Sequence, residues 1–104
     1  MKILSQERAL QLIQESISGL FRVGLIQEEV HVNGETAILG GGSLLDSVAF
    51  VTFLTDLEDR MNKELERDIF LILNDLHELN AGKAQLSAGT LVTYLTQLAQ
   101  SAGA

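Results

Sequence analysis

GGGSLLDSVAFVTFLTDLEDRMNKEL, residues 40–65, decides how the rest of the chain must be arranged. Three glycines free the backbone and expose its amides, and Ser43 and Asp46 then stand in the S-x-x-D relation of an acidic capping box ahead of an apolar run. The apolar positions Phe50, Leu54, Leu57, Met61 and Leu65 step by four, three, four and four, joined by Val51 and Phe53. That spacing predicts a long amphipathic helix, with Asp56, Glu58, Asp59, Arg60, Asn62 and Lys63 on its remaining surface, so one face packs and the other is mostly acidic. Ser47 opens this helix, its hydroxyl is expected near solvent, and it is the candidate functional group.

Working outward, Ala9, Leu12, Ile13, Ile17, Leu20 and Phe21 recur at helical spacing and leave Gln6, Glu7, Gln11, Gln14 and Glu15 for water. A first helix is predicted from Ser5, its N-cap, to about Val23, with Gly24 as the stop. Residues 24–42 lose that period. Val30 to Ile38 alternates around Asn33-Gly34, a hairpin signal, but an isolated two-stranded ribbon is only marginally stable. A long packed loop is expected, with Leu25, Ile26, Val30, Val32, Ile38 and Leu39 against the helices.

Residues 66–80 hold the unbroken apolar run Ile69-Phe70-Leu71-Ile72-Leu73, which suits either a buried strand or a helix through Ile69, Leu73, Leu76 and Leu79. The absence of proline and glycine from Asp46 to Asn80 favours helix, ended by Ala81-Gly82. Ser87 caps a last helix with Leu91, Val92, Leu95, Leu98 and Ala99 on its stripe, fraying at 101–104. The expectation is a single domain over residues 1–104, an all-α four-helix bundle with a long loop between its first two helices.

Composition narrows the functions open to such a bundle. A hydrophobic share of 46% supports a core, and a net charge of -7, from fourteen acids against seven bases, argues against binding nucleic acid or anionic lipid. The chain has no cysteine, and His31 and His77 lack ligand spacing, so no metal site is expected. Met1-Lys2-Ile3-Leu4 runs straight into Ser-Gln-Glu-Arg without the apolar core of a signal peptide, and no segment reaches the length of a membrane span. A cytoplasmic monomer is expected. Ser47 lacks a G-x-S-x-G setting and the glycines lack a following Gly-Lys-Ser, which removes the hydrolase elbow and the phosphate-binding loop. His77 beside Glu78 reads as a structural histidine.

Asp-Ser at a helix start reads first as ordinary capping. Its context adds more: a long helix, a long loop ending in glycines, Leu45-Asp46-Ser47-Val48, then Leu57-Glu58-Asp59 and Glu64-Leu65, and a short last helix from Ser87. This order resembles the acyl carrier protein family, including peptidyl and aryl carrier domains, over nearly the whole chain and most closely from Glu35 to Leu65. The resemblance implies that Ser47 receives 4′-phosphopantetheine, with Asp46 positioning the arm and the incoming transferase. It also implies docking through Val48, Asp56, Glu58 and Asp59, and a non-enzymatic role.

The partners so implied are a phosphopantetheinyl transferase and acyl-loading, condensing or tailoring enzymes of fatty acid, polyketide or related biosynthesis. A phosphodiester at a helix N-terminus meets unpaired amides and the positive end of the helix dipole, which suits that modification. Several positions depart from the family pattern. Leu44 replaces a glycine, Gly41, Gly42 and Ser43 replace loop charges, and Ala49 and Thr52 stand where acids are common, giving the serine a more neutral surround. The enlarged 66–86 region, with its apolar run Ile69–Leu73, is expected to serve a particular enzyme or acyl chain, the run answering to a loaded chain if it belongs to an acyl-accommodating core; Phe50 and Phe53 read first as core, and in a carrier such residues would build one wall of the acyl-binding cleft. The alternative is an unmodified acidic helical adaptor.

Overall fold

A computed structural model describes residues 4–40, 45–66, 68–83 and 85–102, apart from the side chains of residues 47, 101 and 102. Among them are four helices, α1 (Gln6–Arg22), α2 (Ser47–Leu65), α3 (Leu73–Leu79) and α4 (Ala88–Ala102), and two strands, β1 (Ala37–Gly40) and β2 (Gln85–Ser87). The expected helical bundle is present, with a small antiparallel sheet added to it.

Helix α1 begins where the sequence signals it. Ser5 Oγ accepts the Arg8 amide at 3.0 Å. Its end is a Schellman closure: Gly24, at φ +82°, lets the Leu25 amide reach the Leu20 carbonyl at 2.9 Å and the Gly24 amide reach that of Phe21 at 3.1 Å. Ala9, Leu12, Ile13, Ile17 and Leu20 are buried as the period predicts, whereas Phe21, at the edge of the stripe, is exposed. Helix α1 packs against both α2 and α4, and Phe53, Leu57, Met61, Leu91 and Leu95 meet it in the core with no exposed surface.

The hydrophilic side of α1 is not left to water. Arg8 holds both oxygens of Glu64 at 3.0 Å and one of Glu15 at 3.1 Å. Arg60 joins the other Glu15 oxygen at 3.3 Å to Asp56 at 2.7 Å, and Ser16, the buried polar residue of α1, donates to that Asp56 oxygen at 2.5 Å. Half-exposed pairs of this kind each contribute only about 0–1 kcal/mol, but the row fixes the antiparallel register of α1 on α2. The Glu64 hydrogen bond is the main reason the Arg8 guanidinium is held above its ordinary pKa.

No hairpin forms over 30–38. Asn33-Gly34 does turn the chain, but only across 33–36, where Asn33 Oδ1 accepts the Glu35 amide at 2.8 Å and its carbonyl that of Thr36 at 3.1 Å. Strand β1 then pairs with β2, a partner almost fifty residues on, with Ala37 opposite Ser87 and Gly40 opposite Gln85. An irregularity between Ala37 and Leu39 lies at Ile38, which is fully buried. Ahead of the turn, Gln14 stands in for a strand: its carboxamide donates to the Val30 carbonyl at 2.9 Å and accepts the Val32 amide at 2.7 Å. Ile26, Val32 and Ile38 are buried and Val30 and Leu39 partly so, as expected of a packed loop, but Leu25 is exposed.

Helix was also expected across 66–80, and it forms only over Leu73–Leu79. Helix α2 ends at Glu66 in the left-handed region, and residues 68–72 form no regular element. Their amides are taken by side chains instead: Ile69 by Asn62 at 2.5 Å, Leu71 by Glu58 at 2.8 Å and Ile72 by the Tyr94 hydroxyl at 3.0 Å. An amide so engaged cannot donate to the carbonyl four residues back, so the helix is delayed. Within this strap Ile69 is buried and Leu71 partly so, while Phe70 and Ile72 are exposed.

Helix α4 starts with Ser87 Oγ accepting the Thr90 amide at 3.2 Å, while the Ala88 and Gly89 amides bond the Thr36 and Gly34 carbonyls, each at 2.8 Å. The helix continues through Ala102, past the point where fraying was expected; residues 103–104 lie outside the described residues. A Cβ on Gly89 would stand 2.8 Å from the Gly34 oxygen. Gly89→Ala is expected to destabilise the fold by roughly 1–3 kcal/mol, as overpacking against backbone does. Urea denaturation measures this, and an unchanged midpoint would contradict the close approach.

Candidate functional site

The candidate serine is the first residue of α2, and Asp46 is its N-cap. Asp46 is extended at φ −82° and ψ 179°, its carboxylate accepts the Ala49 amide at 2.8 Å, and its carbonyl receives the Phe50 amide at 2.9 Å. As in the first turn of any helix, the amides of Ser47 and Val48 have no helix carbonyl to bond, so they and the helix dipole favour an anion here. The Ser47 side chain lies outside the described atoms, and so do Gly41, Gly42, Ser43 and Leu44; with Asp46 itself the N-cap, it does not take the N3 place of a capping box opened by Ser43. The start of α2 is seated by Leu45, Ala49 and Phe50, all buried, while Asp46 remains exposed.

The docking residues separate into different roles. Val48 is 70% exposed and shares the outer face of α2 with Val51, Thr52, Thr55 and Asp59. Thr52 and Thr55 turn their hydroxyls back to the carbonyls of Val48 and Val51, at 3.2 and 3.1 Å, which satisfies those groups within the helix. Asp59 is exposed beside Lys63 at 3.0 Å. Asp56 instead faces α1 in the charged row, and Glu58 faces the strap through the Leu71 amide. The three acids therefore do not form one docking face. At 100° per residue, Asp56 and Glu58 lie on nearly opposite sides of the helix, a separation that a helical wheel of the sequence already contains.

Two neighbours of the serine also need correction. Ala49 is buried and adds nothing to the surface, whereas Val51, placed on the packing face by its spacing, is 60% exposed. The outer face of α2 is apolar and neutral over its first two turns and becomes acidic only at Asp59. The strap adds the exposed side chains of Phe70 and Ile72, and α3 adds Leu73.

Two recesses border the start of α2. A broad open depression of about 950 Å³ lies between Leu25, Ile26 and Val30 on the loop and Leu45 and Asp46. A narrower cleft of about 150 Å³ lies where β1, Phe50, α3 and β2 meet. Phe50, itself buried, lines this cleft, while Phe53 is enclosed in the core. His77 is exposed at the rim of the cleft. Ser16, Gln14, Asn62 and Tyr94, which hold loop, strap and helices together, had no signal in the sequence, since each is an ordinary residue of an amphipathic helix. Among the described residues no helix is long and apolar enough to cross a membrane.

Comparison with models of protein families, with curated proteins and with solved structures finds no match to this chain.

Two measurements probe the site's frame. Asp46→Ala removes the cap of α2 and is expected to cost about 0.5–2 kcal/mol, with Asp46→Asn close to wild type, in paired denaturation curves. Equal losses in both variants would mean that charge rather than capping matters. Burial is the main cause raising the pKa of Tyr94, opposed by its hydrogen bond to Ile72. The folded chain therefore keeps a proton that the unfolded chain releases near pH 10. This contribution to stability is whole below about pH 10 and lost as pH rises through the higher folded value. Absorbance titration reads it directly, because the chain has one tyrosine and no tryptophan. A midpoint at the ordinary value would contradict the strap's anchorage on Tyr94.

Proposed function

We propose that this chain is an acyl carrier protein whose Ser47 accepts 4′-phosphopantetheine. The observation that carries the reading is the placement of Ser47 as the first residue of a long helix, directly after a capping aspartate and at the end of a long loop. First-turn amides and the helix dipole suit the phosphodiester that modification would leave there. In the transfer, the Ser47 oxygen forms a bond to the pantetheine-bearing phosphorus of coenzyme A as the pyrophosphate linkage breaks. Adenosine 3′,5′-bisphosphate departs and the hydroxyl proton is lost. The thiol at the end of the arm then carries acyl groups as thioesters. Asp46 holds the turn that presents the serine, and Val48, with Val51 beside it and Asp59 beyond, supplies the surface that partners meet. Asp56 and Glu58 serve the fold.

A second reading, an unmodified adaptor, draws on the exposed side chains of Val48, Val51, Phe70 and Ile72, which suit a protein partner without any prosthetic group. Incubation with coenzyme A and a broad-specificity phosphopantetheinyl transferase separates the two by intact mass. Wild type is expected to gain one phosphopantetheine and Ser47→Ala none. No gain in wild type, or an equal gain in the variant, removes the carrier reading at this serine.

A further inference from the structure

Gly19 lies inside α1, within a turn of its end, and nothing around it requires a glycine. Its backbone is helical, unlike that of Gly24 at φ +82°. A Cβ built on it would meet only the far ends of two side chains, Arg60 Nη2 at 3.6 Å and Arg22 Nη2 at 3.8 Å, and both are ordinary contact distances. Glycine within a helix destabilises it relative to alanine, because it has more backbone freedom to lose. Neither packing nor backbone geometry accounts for that loss at Gly19.

What the bare Cα does is keep a space open between two guanidinium groups. Arg60 bonds Asp56 through Nε at 2.7 Å and Glu15 through Nη1 at 3.3 Å, which leaves its Nη2 without an acceptor among the described residues. Arg22 is exposed, and among the described residues it has neither a hydrogen bond nor an ion pair. Two cationic nitrogens, each with N–H groups to donate, therefore converge on one point over Gly19. Like charges so placed repel each other, and an anion between them turns that repulsion into attraction. A tetrahedral phosphoryl group suits the place better than a planar carboxylate, since its oxygens accept from two guanidiniums on different helices without requiring them to be coplanar. Val23, 71% exposed and one turn beyond Gly19 on the same side of α1, offers an apolar contact to whatever bears the phosphoryl group.

We propose that Gly19, Arg22 and Arg60 form a seat for a phosphoryl group, held by charge-assisted hydrogen bonds from the two Nη2 groups over the bare Cα. The seat is separate from the candidate serine, because Arg60 lies about 20 Å beyond Ser47 along α2 at the rise of an α-helix. It does not depend on the carrier reading, and either can fail without the other.

The test records amide spectra of the full chain as inorganic phosphate, phenyl phosphate or acetate replaces chloride at constant ionic strength and neutral pH. Saturable shifts at Gly19, Val23 and Arg60 are expected with both phosphates, and weaker binding with acetate. Equal affinity for the two phosphates assigns the seat to the free ion; tighter binding of phenyl phosphate, lost in Val23→Ser, assigns it to an ester. Arg22→Met, at an exposed side chain, should weaken phosphate roughly tenfold, as loss of a hydrogen bond to a charged group does. Lys83→Met, the same change of net charge elsewhere on the surface, should leave it unchanged. Gly19→Ala fills the seat with a methyl group and should weaken phosphate to a similar degree while raising the urea midpoint, since the helix gains from alanine. Shifts that do not saturate, acetate bound as tightly as phosphate, or binding that survives Arg22→Met or Gly19→Ala overturns the site. A lowered urea midpoint in Gly19→Ala overturns it as well, because packing would then account for the glycine.

Discussion

A segment running from Val23 to Asp46 cannot pack its apolar side chains against helices unless its backbone amides and carbonyls find partners there. Everything about the start of α2 depends on how that demand is met. Gln14 supplies a donor and an acceptor to Val30 and Val32, the first amides of α4 take the carbonyls of Gly34 and Thr36, and β2 takes β1. With these anchors made, Ile26, Val32, Ile38 and Leu45 can be buried, and Asp46 is delivered to the start of α2. Gly89 is required for the same reason, since a side chain there would push Gly34 away.

The region after α2 is solved in the opposite way. Residues 69–72 are apolar enough to be a strand and are connected like a helix, yet they become neither, because Asn62, Glu58 and Tyr94 claim their amides first. This turns Phe70 and Ile72 outward and leaves the short α3 to close the cleft beside Phe50. The charged row from Glu64 through Arg8, Glu15 and Arg60 to Asp56 occupies the opposite flank of α2. What remains of α2 for a partner is the narrow outer face of Val48, Val51, Thr52, Thr55 and Asp59.

Much of this was legible in the residues. Ser5, Asp46 and Ser87 cap helices as their types require, Gly24 closes α1, and the stripes of α1, α2 and α4 are buried with few exceptions. These are local signals, in which a side chain acts on its own turn or a period repeats over several turns. The misreadings arise where partners are distant. The Asn33-Gly34 pair suggests a hairpin because its strand partner, fifty residues on, leaves no mark nearby. Glu58 reads only as a surface acid, because nothing in sequence announces the Leu71 amide that it accepts. Val51 and Ala49 exchange places between surface and core, since a stripe read from sequence is good only to about one residue at its edges.

The sequence by itself determined the first, second and last helices, the caps of α1 and α4 and the serine at the head of the second helix, because those features depend on interactions within a few residues. Only the tertiary structure decided that the loop ends in a strand, that Asp56 bonds to α1 and Glu58 to the strap, and that a cleft opens where β1, Phe50, α3 and β2 meet. Each of these depends on which distant groups satisfy one another's hydrogen bonds and charges, and that pairing exists only once the chain has closed on itself.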